Sequence, residues 1–199
     1  LWSARGDAIL PFAIAGIFLS VFYVAPPLRL KHHGLGEPSV FLVWGPLMIG
    51  GTYAVTTGEV APWVFGASVP YALLTTAVLI GKHVDKLPFD GPKGIHTLPV
   101  ILGERRSLAL NRVLMMAFYP AVLASIVLGW FGPWCLLVLF SLPLLRRVLE
   151  VYSKPPPAEP PPRYPIWPLW YVAAAFVVAR RAGGLLVLGL VLDHFLPLV

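Results

Sequence analysis

The sequence predicts an all-α protein: a polytopic transmembrane helical bundle that forms a single domain over residues 1–199. Hydrophobic residues make up 58% of the 199 residues and charged residues only 12%, which is more apolar surface than a water-soluble domain buries. The apolar residues form continuous runs without the two-residue alternation of barrel strands. Helices also satisfy their own backbone hydrogen bonds inside lipid, so the runs are predicted to be helical.

Six apolar runs approach the roughly 20 residues that a helix needs to cross the hydrocarbon core. They are residues 8–24, 39–57, 63–81, 108–128, 131–145 and 182–198. Residues 167–178 are apolar as well, but Arg180 and Arg181 follow them directly. This part is therefore predicted to be an interfacial helix that leads into a short last span.

Basic residues are concentrated in the loops 25–38, 82–107 and 146–165, which hold most of the 15 lysines and arginines. Short cytoplasmic loops collect such residues, so these three loops are predicted to be cytoplasmic. The third contains KPPPAEPPPRYP, residues 154–165, predicted to be a stiff polyproline II connector rather than a PxxP ligand. Because the basic residues form no stripe with interleaved aromatics, nucleic acid is not an expected partner.

The stretch HVDKLPFDGPKGIHTLP, residues 83–99, places two carboxylates among cations. Carboxylate oxygens are preferred ligands of Mg²⁺, which often bridges them to substrate phosphates. Pro88 and the later glycines predict that the preceding helix ends near Asp85 and that Asp90 lies on a turn, so that the two carboxylates converge. The neighbouring cations would hold the remaining charge of a diphosphate; they are Lys82, Lys86, Lys93, Arg105 and Arg106.

Two simpler interpretations of this stretch stay open. Its charges are also typical of a solvated cytoplasmic loop that obeys the positive-inside rule. His83 and His96 have no partner at a recognised metal-ligand spacing, so they are predicted to be polar loop residues rather than ligands.

The segment DKLPFDGPKGIHTLPVILGE, residues 85–104, resembles the second aspartate-rich motif of UbiA-type membrane prenyltransferases, roughly D-x-x-x-D-x-x-x-G-x-x-T-L-P-x-x-L-G. A second segment, residues 22–58, resembles the Y-x-x-x-P and G-L-G-E portion of the menaquinone-type branch. Position 86 is lysine, so Asp85 stands for the first aspartate only if the loop absorbs one extra residue. The matching positions of the motif are Asp90, Gly94, Thr97, Leu98, Pro99, Leu102 and Gly103.

The resemblance implies a bundle that has nine spans when complete, of which this chain would supply about the last six. The family's first motif, N-D-x-x-D-x-x-x-D, does not occur in the 199 residues. The chain is therefore expected to represent an N-terminally truncated form that lacks half of the metal site and is inactive alone.

The implied activity is Mg²⁺-dependent transfer of a prenyl group from an isoprenoid diphosphate to an aromatic quinone precursor or a lipid acceptor. Mg²⁺ is expected at Asp85 and Asp90. The diphosphate is expected to contact the facing loop and the flanking cations, namely Tyr23, Arg29, Lys31, Lys82 and Lys93. The expected location is the inner or plasma membrane, with the site on the cytoplasmic side.

Two other functions are compatible with these residues. Some relatives of this fold cyclise terpenoid substrates, so a membrane terpene cyclase is an alternative. The other is a non-catalytic transport or scaffold protein whose basic loops bind anionic membrane lipids.

Overall fold

A computed structural model describes the backbone of residues 2–197 and the side chains of residues 9–197. The helices are α1 Trp2–Phe22, α2 Gly36–Thr57, α3 Pro62–Asp85, α4 Leu87–Asp90, α5 Leu98–Leu102, α6 Glu104–Val127, α7 Leu142–Val151 and α8 Tyr171–Phe195. Three 3₁₀ segments complete the helical structure, at Leu30–His32, Gly91–Lys93 and Pro133–Ser141. Residues 2–197 contain no β-strand, and the predicted all-α class is confirmed.

Four helices are long and apolar enough to cross a membrane: α2, α3, α6 and α8, with 22 to 25 residues each. At a rise of about 1.5 Å per residue these helices exceed the roughly 30 Å of a hydrocarbon core. They overlap four of the six predicted crossings and make the chain an integral membrane protein. The described apolar part of α1, Ile9–Phe22, is shorter.

The prediction for the last span was wrong. In place of an interfacial helix followed by a short crossing, α8 runs without interruption from Tyr171 to Phe195 and carries Arg180 and Arg181 in its interior. Arginine has a high helix propensity, so a charged pair in an apolar run does not end a helix. Leu198, the last residue of the predicted span, lies outside the described residues.

The fifth predicted crossing, residues 131–145, is not a single α-helix. The 3₁₀ segment Pro133–Ser141 leads directly into α7. Pro133 and Pro143 each stand at the start of one of these two segments, where proline is tolerated because its missing N–H has no intrahelical partner. The apolar run therefore divides between two helical forms.

The core lies where α3, α6, α8 and the 3₁₀ segment Pro133–Ser141 pack together. Its most deeply buried members include Ile80, Met115, Phe118, Val138 and Val178. Small residues allow the backbones to approach closely, as is typical of membrane helices. A Cβ atom added at Gly81 would lie 3.0 Å from the carbonyl oxygen of Tyr171, and one added at Gly189 would lie 2.7 Å from that of Trp134.

Two tyrosines fix the chain at the start of α8. The Tyr152 hydroxyl donates a hydrogen bond of 2.6 Å to the carbonyl oxygen of Tyr171 and accepts one of 2.9 Å from the Asn111 amide. The predicted connector, residues 154–165, contains neither helix nor strand. Its Tyr164 hydroxyl donates to the carbonyl oxygen of Leu169 at 2.7 Å. A Cβ atom added at Gly81 of α3 would lie 2.9 Å from the Tyr152 hydroxyl oxygen, so the Tyr152 bonds lie directly beside the last part of α3, which leads into the candidate site.

Candidate active site

The two loops that carry the quoted sequence segments pack against each other. His33 and His96 form an isolated parallel bridge between them. Gly34 adopts φ +71°, and a Cβ atom added there would lie 2.5 Å from Cδ1 of Ile101. Glycine meets both constraints because it has no Cβ atom and tolerates positive φ. The residues of the loop before α2 are thereby held beside those that follow α4.

A buried pair formed by Glu37 and His83 supports this contact. Glu37 Oε1 lies 2.7 Å from His83 Nδ1, and the two residues are 1% and 0% exposed. The other carboxylate oxygen, Oε2, accepts the backbone N–H of Leu98 at 3.4 Å. Glu37 therefore joins the start of α2 to α3 and to the start of α5.

The prediction of His83 as a polar loop residue was wrong, because it lies inside α3 and is fully buried. Its spacing from the buried Thr76 and Ile80 places it on the same helix face, a periodicity that the sequence already contained. Glu37 had no predicted role. An acidic residue in the first turn of a membrane helix, directly after G-L-G, is the signal that would have indicated one.

Asp90 is the carboxylate left without a partner. It is 6% exposed, and among the described residues its Oδ2 atom has no hydrogen-bond donor. Its charge is close enough to act on Lys82 and on His32. A buried carboxylate without a partner is costly, so it indicates a function more often than a structural contact.

Asp90 does not lie on the predicted turn but ends the short helix α4. Pro88 stands in the first turn of α4, where its lack of an N–H costs nothing. The backbone N–H of Asp90 donates to the carbonyl oxygen of Lys86 at 2.9 Å, and its own carbonyl accepts the N–H of Ile95 at 3.1 Å. These bonds fix the backbone and leave the side chain free.

The facing loop brings further cations towards Asp90 and Lys82. The Lys31 charge acts on Lys82, and the Lys31 backbone N–H donates to the carbonyl oxygen of Tyr23 at 3.0 Å. Burial and the positive charges of Arg29 and Lys31 lower the pKa of His32. His32 is therefore neutral at pH 7 and adds a polar group to the cluster without adding charge.

Tyr23 lies beneath this loop. Burial and the nearby charge of Glu37 raise the pKa of the Tyr23 phenol to about 12. Its hydroxyl packs next to Gly36, where an added Cβ atom would lie 3.4 Å from the phenol oxygen. At neutral pH Tyr23 is consequently a neutral hydrogen-bond donor at the edge of the basic loop.

Asp85 ends α3, as predicted, but its carboxylate contacts a different part of the molecule from Asp90. Its Oδ1 and Oδ2 atoms accept the backbone N–H groups of Tyr171 and Val172, both at 2.9 Å. This contact satisfies two of the unpaired N–H groups at the start of α8. Lys93 is exposed on the 3₁₀ segment Gly91–Lys93. Because both Asp85 oxygens are bound to the start of α8, binding of one metal ion by Asp85 together with Asp90 stays a prediction.

An apolar groove begins at Lys82. It has a volume of about 490 Å³ and runs between α2, α3 and α8. Apart from Lys82 and Arg180 its walls are mainly apolar or aromatic, and they include Trp44, Tyr71, Leu74, Val78 and Phe176. The combination of a cation cluster, a free carboxylate and an apolar groove suits a ligand with an anionic head and a hydrocarbon tail.

Comparison with known proteins gives one family. The UbiA prenyltransferase family profile matches residues 4–177. No solved structure matches the chain.

Three curated relatives illustrate the similarity. The 2-carboxy-1,4-naphthoquinone phytyltransferase of Synechocystis sp. is 28% identical over 77% of this chain and 52% of its own length. The 1,4-dihydroxy-2-naphthoate octaprenyltransferase of Haemophilus influenzae is 27% identical over 74% of this chain and 50% of its own. The 1,4-dihydroxy-2-naphthoate octaprenyltransferase of Mycobacterium tuberculosis is 30% identical over 70% of this chain and 46% of its own length.

The chain thus spans about half the length of these relatives. The match covers most of the chain, including both loops, α2, α3 and the first part of α8 up to residue 177. By this match, and in agreement with the resemblance of its two loop segments, the chain belongs to the UbiA prenyltransferase family.

Proposed function

We propose that the full gene product transfers a prenyl group from an isoprenoid diphosphate to a bicyclic aromatic acceptor within the membrane. The observation that supports this most directly is the free, buried Asp90 carboxylate. It lies near Lys82, which in turn lines the apolar groove. A diphosphate at the cations, with the first part of its hydrocarbon chain entering the groove, would suit this arrangement.

The residues present fit one ligand of a Mg²⁺ ion. The unpartnered Oδ2 atom of Asp90 is a hard oxygen donor at the right place, while the described residues contain no group of three or more His, Cys, Asp or Glu that would form a complete site. Mg²⁺ commonly takes one or two carboxylates and completes its shell with water and substrate phosphates. When bound, Mg²⁺ would neutralise part of the diphosphate charge.

The chain's own cations would neutralise the remaining negative charge of the diphosphate. Lys82 and Lys31 would hold the negative charge that builds up on the diphosphate as the C–O bond to the prenyl carbon breaks. The aromatic walls of the groove would shield the resulting allylic cation from water. The Glu37–His83 pair would keep the loop with Lys31 in place across from Asp90.

The acceptor is inferred from the relatives' names. Those names contain two different acceptors, a carboxylated naphthoquinone and a dihydroxynaphthoate, and both are bicyclic aromatic carboxylates. The prenyl groups in those names differ in length, phytyl and octaprenyl, so we propose an isoprenoid diphosphate donor without assigning its length. We also propose that the site faces the cytoplasm, and the concentration of basic residues in loops 25–38 and 82–107 supports this orientation.

The test is an assay of membranes that contain the full gene product. We expect 1,4-dihydroxy-2-naphthoate and radiolabelled isoprenoid diphosphates of several lengths to give a prenylated naphthalene product, and we expect EDTA to abolish it. Asp90→Asn should lose the product, whereas Glu59→Gln, an exposed carboxylate away from both loops, should not.

The same assay separates the alternatives. A cyclic hydrocarbon formed from the donor without an acceptor would indicate a terpene cyclase. Absence of any donor-derived product, together with retention of anionic lipid that depends on the basic loops, would indicate a scaffold or transport role. Either result would contradict prenyl transfer.

A further inference from the structure

Arg180 is a charged residue that has no role in the proposed reaction. It lies in the interior of α8, within a candidate membrane span, and its side chain is exposed. No hydrogen bond or ion pair to Arg180 is formed by the residues that the structure describes. Charged side chains inside a membrane span are costly, and they usually face a cavity or a partner.

The cavity that Arg180 faces is the apolar groove. Arg180 and Lys82 both line this space of about 490 Å³, one from α8 and the other from α3. The neighbouring Arg181 does not line it, although both arginines line a smaller recess of about 300 Å³ beside α7. The groove thus contains two cations, each on a different helix.

The depth of Arg180 follows from helix geometry. The Asp85 carboxylate binds the N–H groups of Tyr171 and Val172, so the end of α3 and the start of α8 lie at one level. Lys82 is then about 4.5 Å below that level and Arg180 about 13 Å, at 1.5 Å per residue. Arg180 is roughly 9 Å deeper in the membrane than the cations proposed to hold the diphosphate.

We propose that Arg180 binds the carboxylate of the aromatic acceptor inside the groove, below the level of Lys82. This inference depends on the proposed function, whose acceptor is an aromatic carboxylate. A guanidinium pairs with a carboxylate through two parallel hydrogen bonds, and the pairing is strong where water is scarce. Trp44, Tyr71 and Phe176 supply aromatic surface for the ring in the same groove.

A lipid phosphate is the other anion that a membrane offers. Lipid phosphates lie in the headgroup region, outside the hydrocarbon core. Arg180 lies about 13 Å along the axis of α8 from the first residues of that helix. The depth therefore favours the acceptor. A lipid phosphate reached by an extended arginine side chain becomes an outcome of the test.

The experiment measures binding directly, without turnover. The full gene product is placed in nanodiscs of phosphatidylcholine, which has no net charge, and the affinity for 1-hydroxy-2-naphthoate is measured by the fluorescence of this ligand. We expect Arg180→Gln to weaken binding by roughly 10-fold to 100-fold, the range for a lost charge-assisted hydrogen bond. Arg180→Lys should recover part of the affinity. Arg181→Gln, the matched control on the same helix, should change it less than about 3-fold.

A second ligand shows whether the carboxylate matters. 1-Naphthol, which lacks it, should bind the wild-type protein and Arg180→Gln with the same affinity. Equal affinity of both proteins for 1-hydroxy-2-naphthoate would overturn the proposal. Native mass spectrometry measures the phosphatidylglycerol that stays bound to each protein. If Arg180→Gln binds less of this lipid than the wild-type protein but binds the naphthoate equally well, the proposal is also overturned. Thermal unfolding of each variant excludes misfolding as the cause of weaker binding.

The two proposals fail in different ways. If no prenylated product forms but naphthoate binding depends on Arg180, the reaction is wrong and the carboxylate site stands. If prenyl transfer proceeds and Arg180→Gln leaves the KM for the naphthoate unchanged, the reaction stands and the role of Arg180 is wrong.

Discussion

Asp85 and Asp90 flank the same tetrapeptide, KLPF, yet their carboxylates have opposite surroundings. Both oxygens of Asp85 accept backbone N–H groups from the start of α8, whereas Oδ2 of the more deeply buried Asp90 has no donor among the described residues. The comparison shows that two aspartates in one motif need not share one task. Asp85 connects helices, and Asp90 is available to a ligand.

The largest effect should come from removing the free carboxylate. Asp90→Asn should lower the prenyl-transfer rate by about 10³-fold, the upper range for losing one group that stabilises a transition state. Its free energy of unfolding should stay the same or rise, because a buried charge without a partner disappears. Initial rates and thermal unfolding check both parts. A loss of stability would mean that Asp90 has a structural partner.

A third carboxylate, Glu37, extends the comparison because it is as buried as Asp90 but fully paired. Glu37→Ala should lower the free energy of unfolding by about 3 kcal/mol, since it leaves His83 and the Leu98 N–H without their acceptor. Denaturant titration in detergent micelles measures this. Glu37→Gln, which keeps an acceptor oxygen, serves as the control and should lose less. Equal losses would show that the charge, rather than the hydrogen bonds, is what matters.

Replacing the connecting aspartate should affect stability more than catalysis. Asp85→Ala should cost about 2 kcal/mol of unfolding free energy, as for other residues that satisfy the first N–H groups of a helix. Its activity per folded molecule should exceed that of Asp90→Asn by at least roughly 10-fold. Hydrogen exchange at the Tyr171 and Val172 amides would detect the lost contact. An activity loss as large as that of Asp90→Asn would place Asp85 in the metal site after all.

The smallest effect concerns the cations around Asp90. Lys82→Gln should weaken donor binding by about 10-fold, because one charge-assisted contact to the diphosphate is lost. Lys93→Gln should change it by less than about 3-fold, since Lys93 is exposed on its 3₁₀ segment and screened by water. A binding titration with an isoprenoid thiodiphosphate compares the two. Equal effects would indicate a general charge contribution rather than a defined site.

The sequence predicted the helical class, the three spans that correspond to α2, α3 and α6, and the loops that build the site. Hydropathy depends only on the local composition of the sequence, so the spans can be predicted without knowing which helices pack together. The prediction for α8 was wrong because Arg180 and Arg181 interrupt the hydropathy pattern, whereas a helix continues through charged residues. The divided run that begins at Pro133 was missed because 3₁₀ and α-helical turns have similar composition.

The site was harder to predict than the fold. The motif located Asp90, yet it could not show that Asp85 contacts residues near position 171, since that contact joins distant parts of the chain. Burial of His83 against Glu37 is a long-range fact of the same kind. Both require the packing of α2, α3 and α8, which spacing along the sequence does not contain.

The most direct test of the central claim is Mg²⁺-dependent binding of a non-hydrolysable isoprenoid thiodiphosphate to the full gene product. We expect Mg²⁺ to strengthen binding in the wild-type protein and in Asp85→Asn but not in Asp90→Asn. Should Asp90→Asn retain the full Mg²⁺ effect, the free carboxylate would not be the ligand and the proposed site would be wrong.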